Sequence, residues 1–184
     1  ILDLLDNSVD GAKNLQGAGP FQDLSISVAI DANEFCIVDN CGGIPLEVAR
    51  DYAFRFGRPS GAPIVDGGIG TFGVGMKRAL FKLGDNIQIR STTAAHTIEL
   101  DFKVSDWESD PQEGAWFFPM AVTPLLHPPP DAELGTSITV RDLHPSVRAQ
   151  FKADYFHQTL RRAIAARHQA VIDDGLPIMF DGLA

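Results

Sequence analysis

The sequence has little that would staple or anchor it. Its two cysteines, Cys36 and Cys41, are too few for a disulfide framework. They stand either side of an expected strand end, which fits free thiols in a reducing compartment and a cytoplasmic location. No run of about eighteen apolar residues occurs, so no membrane span is expected, and the start lacks a signal-like pattern. Basic residues are scarce: 15 Lys and Arg against 24 Asp and Glu give a formal net charge of -9. That balance argues against broad electrostatic attraction to nucleic acid or anionic lipid. The histidines (His96, His127, His144, His157 and His168) share no metal-ligand spacing, which speaks against a zinc site. No Ser/His/Asp trio stands in a recognisable frame for a hydrolytic triad.

What is present suits one domain, or one domain with the stub of a second. The chain has 184 residues and a 45% hydrophobic share, enough for a full core without staples. Both ends read as cut: Ile1 opens directly in an amphipathic helix, and Leu176 to Phe180 read as a strand that has barely begun. A fragment of a longer protein is expected.

Residues 1–15 read as a helix, with Ile1, Leu5, Val9 and Ala12 on one face and Asp3, Asn7 and Asp10 on another, joined by Asp6. Residues 24–31 and 34–39 read as a hairpin around Asp31-Ala32-Asn33. Pro45 starts a second helix, to about Phe56. Residues 57–70 are rich in Gly, Pro and Ser and read as a flexible loop. A helix is expected over 72–83, strands at 86–92, 96–104 and 115–122, a Pro-rich connection at 124–134 and a strand at 136–141. One long helix is expected from Pro145 to Asp174, its apolar face marked by Val147, Phe151, Tyr155, Leu160, Ile164 and Val171. The order predicts an α+β fold: a two-layer sandwich whose mixed, mostly antiparallel sheet is covered by helices on one face.

Four stretches carry chemistry. The first, Asp3-Leu-Leu-Asp6-Asn7-Ser8-Val9-Asp10, puts oxygen-bearing side chains on one side of a helix. Such oxygens suit Mg²⁺, which binds alongside water and phosphate oxygens; taken alone, the stretch reads as a solvated face. In the second, Asp39 at a strand end is followed by Asn40-Cys41-Gly42-Gly43-Ile44-Pro45, one acceptor beside a tight turn where a ligand ring can approach backbone. In the third, Gly67-Gly68-Ile69-Gly70-Thr71-Phe72-Gly73-Val74-Gly75-Met76-Lys77 leads into a helix. Small residues there let backbone N–H groups turn toward phosphate, and the helix N-terminus adds a favourable dipole. Neither a Walker A loop nor a Rossmann fingerprint is in register. The fourth, Gly135-Thr136-Ser137, opens a late strand.

In this order, over roughly residues 1–141, the four stretches resemble the GHKL ATPases, the superfamily of gyrase B, heat-shock chaperone ATPases, histidine kinases, MutL and MORC. The "DNS-x-D" form looks more like gyrase B, MutL and MORC than like sensor kinases, and "GTFGVGMK" is similar to the chaperone lid hinge. The resemblance implies a Bergerat ATP-binding fold over residues 1–175, with an ATP lid at about 57–70 and the start of a transducer-like segment at 176–184. It also implies ATP and Mg²⁺ as ligands and an ATP-dependent homodimer of the full protein. Asn7 is implied as the Mg²⁺ ligand, with Asp10 the acidic residue that follows it in the motif. Asp39 is implied as acceptor for the adenine amino group, assisted by Thr136. Gly43 lets the ring pack close, with Ile44 beside it. Gly70, Thr71, Phe72, Gly73, Val74, Gly75 and Met76 belong to the phosphate side. Lys77 either contacts phosphate or points to solvent.

Asp3 takes the place of the general base, where the family usually has Glu, with Asp6 as the fallback. A base one methylene shorter must still reach its water, so slow hydrolysis is expected, or none. Cys41 stands where the family's first glycine does, and Gly42 is expected to take over that conformation. The competing functions are an ATPase that drives a conformational change, an ATP-gated module without turnover, histidine phosphotransfer, and a nucleotide-free interaction domain.

Overall fold

The computed structural model describes residues 1–54, 72–109 and 118–181; the expected lid, with Gly70 and Thr71, lies outside them. Helix α1 (Leu2–Gln16) buries Leu4, Leu5, Ser8, Val9 and Ala12. The hairpin of β1 (Ile26–Ile30) and β2 (Glu34–Asp39) forms because Asp31 closes the turn. Its carboxylate accepts the backbone N–H groups of Asn33 and Glu34 at 2.6 and 2.9 Å. The expected second helix is short: α2 (Leu46–Val48) passes into a π-helical turn, Ala49–Ala53. Helix α3 (Phe72–Leu83) then leads into β3 (Gly84–Thr92) and β4 (His96–Lys103). A short helix, α4 (Val104–Glu108), precedes the edge strand β5 (Ala121–Pro124), which overlaps the end of the strand expected at 115–122 and runs on into the Pro-rich stretch; residues 115–117 of that expectation lie outside the described residues. Strand β6 spans Gly135–Leu143.

The expected long C-terminal helix is two: α5 (Pro145–Phe151) and α6 (Asp154–Asp173). The break lets Phe151 bury and face Phe156, with ring centroids 5.4 Å apart. His157 is in contact with the Phe151 carbonyl at 2.6 Å and with Asp181 at 2.8 Å. Tyr155, expected on the apolar face, is instead 77% exposed. The last strand, β7 (Ile178–Phe180), pairs parallel with β1.

The fold is α+β, built on one mixed sheet in the order β5-β4-β3-β6-β2-β1-β7, antiparallel throughout except for β1–β7. Side chains alternate between faces with period two. Ile26, Val28, Phe35, Ile37, Ile87, Ile89, Ile98, Leu100, Ile138 and Val140 point inward and join α1, α3 and α6 in one core. The other face carries exposed pairs such as Arg90–Glu99 and Arg141–Glu34.

Candidate functional site

One row of side chains crosses the inward face of all seven strands. In register it reads Ile178, Ile26, Asp39, Thr136, Ser91, Ile98, Val122. Aliphatic residues hold both ends, and the three middle strands put polar groups where the core pattern calls for apolar ones. Asp39 is there by parity: Phe35 and Ile37, four and two residues earlier, face the core, so the strand's last residue does too.

The carboxylate of Asp39 is closely held. Oδ1 accepts the N–H of Cys41 at 3.0 Å and that of Thr136 at 3.1 Å; Oδ2 accepts the Ser8 hydroxyl at 2.6 Å. Burial raises its pKa above 3.8, opposed by Ser8, Cys41 and Thr136 as donors. An ionised carboxylate offers about four acceptor positions, so three donors leave about one. Ser91 is fully buried; its Oγ accepts the Ile44 N–H at 2.7 Å and lies 3.0 Å from Thr136 Oγ1.

The turn after β2 packs on backbone. Left-handed conformation falls on Gly42 and Gly43, with φ of 93° and 70°, and not on Cys41, as expected from the displaced glycine. A Cβ on Gly43 would stand 2.2 Å from the Thr92 carbonyl oxygen, so what demands glycine there is β3 itself. Gly135 is tighter: a Cβ would lie 1.9 Å from the Asp39 carbonyl oxygen. That close approach brings the Thr136 N–H to Asp39. Cys41 is buried, its thiol pushed up to about 12 by burial and by the charge of Asp39, so it stays protonated.

These elements wall a cavity of about 180 Å³ between α1, α2, α3 and the sheet. Asn7, Asp39, Gly43, Ile44, Met76 and Thr136 line it, among apolar neighbours that include Leu4, Val48 and Ile138. The side-chain nitrogen of Asn7 is buried without a hydrogen-bond partner among the described residues. Among the described residues no group of three or more His, Cys, Asp or Glu could hold a metal. Mg²⁺ takes few protein oxygens and fills the rest with water and phosphate; the Asn7 side-chain oxygen is a ligand of that kind, whereas its unpaired nitrogen is a donor that suits an acceptor such as a phosphate oxygen.

The remaining expected residues lie around this cavity. Asp3 is exposed and rests against α3, where a Cβ on Gly75 would stand 3.8 Å from its Oδ2. Asp6, the fallback base, is held by Arg167 of α6 through both carboxylate oxygens. Asp10 does not line the cavity and acts electrostatically on His168 of α6. Lys77 is 8% exposed, not solvent-facing; its Nζ donates to the Tyr52 carbonyl in the π turn at 3.1 Å, and burial lowers its pKa. Phe72, Gly73 and Val74 form the start of α3. Sequence reasoning gave no role to Ser8 or Ser91. Counting inward by twos from Ile87 and Ile89 would have placed Ser91 on this face.

Residues 1–121 match the family described as "Histidine kinase-, DNA gyrase B-, and HSP90-like ATPase". The chain belongs to this family, the GHKL ATPases. Its fold is also similar to that of a solved structure titled "Crystal Structure of N terminal domain of a DNA repair protein". That likeness has a TM-score of 0.53 and 14% identity and covers 96% of this chain and 46% of the other. This GHKL chain therefore spans less than half the length of that one, and at such identity the likeness speaks to fold alone. No curated protein sequence matches the chain. Among the described residues, no helix is long and apolar enough to cross a membrane.

Proposed function

We propose that this GHKL domain binds ATP with Mg²⁺, hydrolyses it slowly, and thereby drives a conformational and dimerisation switch in a longer protein. The observation that carries the reading is Asp39: a half-buried carboxylate at the floor of an apolar cavity, with three fixed donors and about one acceptor position left over. That position suits the exocyclic amino group of adenine. Ile44 and Met76 provide apolar walls for a flat base, and the helix facing the sheet carries Asn7 as the metal ligand. The metal, when bound, neutralises phosphate charge. Asp3 orients or deprotonates the attacking water. The backbone at the start of α3, Phe72 to Gly75, lines the triphosphate, and the segment from residue 176 leads to the moving part of the longer protein.

A second reading, an ATP-gated module without turnover, draws on Asp3, which is shorter than Glu and lies outside the cavity wall. Calorimetric titration of Mg·ATP into the chain tests the first claim. Asp39→Asn replaces an acceptor by an amide that meets two backbone N–H groups, and it should weaken binding at least about a hundredfold, as loss of a charge-assisted pair implies. Wild-type affinity in that variant would sink the adenine assignment. Hydrolysis by the wild-type chain that disappears in Asp3→Asn selects the ATPase over the module; binding with no turnover in either selects the module.

A further inference from the structure

We infer that Ser91 is a positioning residue that sets nucleobase specificity by fixing the direction of the Thr136 hydroxyl. The inference rests on the nucleotide reading above and concerns a residue outside the cavity wall.

The argument is a count of protons. Ser91 is 0% exposed, so no solvent reaches its hydroxyl. Its oxygen already accepts the Ile44 N–H at 2.7 Å. Its own proton needs an acceptor, and among the described residues only Thr136 Oγ1, 3.0 Å away, is in range. If Thr136 donated instead, the Ser91 proton would be buried without a partner, an arrangement folded proteins avoid. Ser91 therefore donates and Thr136 accepts. A threonine hydroxyl has one proton, and with its oxygen engaged at Ser91, the Thr136 proton turns to the cavity that Thr136 lines.

The sheet register then fixes a pattern. Asp39 and Thr136 are direct cross-strand neighbours, as are Thr136 and Ser91. The cavity floor thus presents an acceptor at Asp39 beside a donor at Thr136. Adenine carries the complement on one edge: an amino donor next to a ring-nitrogen acceptor. Hypoxanthine reverses both, with a carbonyl next to a ring N–H. A threonine free to rotate would serve either base; one whose proton is directed by Ser91 serves adenine.

The test compares ATP with ITP, which differ at that edge alone, by calorimetric titration into the wild-type chain, Ser91→Ala, Thr136→Val and the double variant. The wild type should prefer ATP. Ser91→Ala should cut the ATP/ITP ratio by about tenfold, the worth of one correctly set hydrogen bond. In the Thr136→Val background the same change should leave the ratio where it was, because Ser91 acts through that hydroxyl. A purely structural role, through Ile44 alone, would weaken both nucleotides alike and persist in that background; either result overturns the proposal. Thr136→Val keeps the backbone N–H on Asp39 and must lower the ratio by itself, so a valine variant that discriminates normally overturns the proposal even if Ser91→Ala fails to fold. Ser91→Thr, which keeps the hydroxyl, should restore the ratio. A wild type that binds both nucleotides equally sinks this inference alone; one that binds neither sinks the nucleotide reading beneath it.

Discussion

At the sheet end of the cavity Asp39, Thr136 and Ser91 each have partners inside the protein, whereas at the helix end the Asn7 nitrogen is buried with none and the Asp3 carboxyl accepts no hydrogen bond among the described residues. The sheet end is held by backbone: two of Asp39's three donors are main-chain N–H groups. The helix end has side chains on α1 facing the start of α3. The difference teaches where preorganisation is already present. A base-recognising group is set in a rigid, low-dielectric floor before any ligand arrives. The groups assigned to metal and water retain unused hydrogen-bonding capacity, the arrangement expected where ligand atoms complete the shell.

That contrast can be broken most severely at Gly135. Gly135→Ala places a methyl 1.9 Å from the Asp39 carbonyl oxygen and must push β6 from β2. Destabilisation of about 3 kcal/mol is expected in denaturant titration, the upper range for overpacking, together with loss of nucleotide binding. A variant of wild-type stability would mean that the sheet end is less rigid than described. At the helix end Asn7→Ala should act differently: unfolding midpoint nearly unchanged, and the Mg²⁺ dependence of ATP affinity reduced about tenfold. A large fall in stability there, with Mg²⁺ dependence intact, would reverse the contrast between the two ends.

Titration sharpens it further. The folded-state pKa of Asp39 is raised above 3.8, chiefly by burial. A raised carboxyl contributes stability that is fully present below its unfolded value and is lost as pH rises through the folded one. Nucleotide affinity has the opposite sign, because the ionised form is the acceptor: it should climb as pH rises from 3.8 through the raised value and then level off. Affinity measured across that window in the wild type and in Asp39→Asn separates this group from the other carboxylates; a flat wild-type profile would contradict the assignment. The smallest effect belongs to Arg167→Ala. It removes one of Asp6's two neighbours on α6, leaving His168 Nε2 at 3.4 Å, and a half-exposed ion pair is worth less than about 1 kcal/mol. Thermal unfolding should show a slight decrease, with ATP affinity unchanged.

Much of the site could be read from the chain because its signals are local. The face of α1 that carries Asn7, the alternation that turns Asp39 inward and the glycine block that opens α3 are patterns of period 3.6, period 2 and small-residue runs. The helix break after Phe151 escaped that reading, since no Gly or Pro marks it; a tertiary contact, Phe151 burying against Phe156, sets it. Lys77 escaped too: its sequence position suits phosphate or solvent, and only the packing of the π turn over α3 gives it the Tyr52 carbonyl.

The sequence by itself determined the order of the elements, the acidic surface and the motifs that carry Asn7 and Asp39, because each depends on neighbours within a few residues. Only the tertiary structure decided that Asp39, Thr136 and Ser91 stand in one row, that Gly43 and Gly135 must yield to backbone rather than to a ligand, and that Asp6 belongs to Arg167. Strand register is set by hydrogen bonds between segments as far apart as β2 and β6, and a slip of one residue would send every one of those side chains to the opposite face.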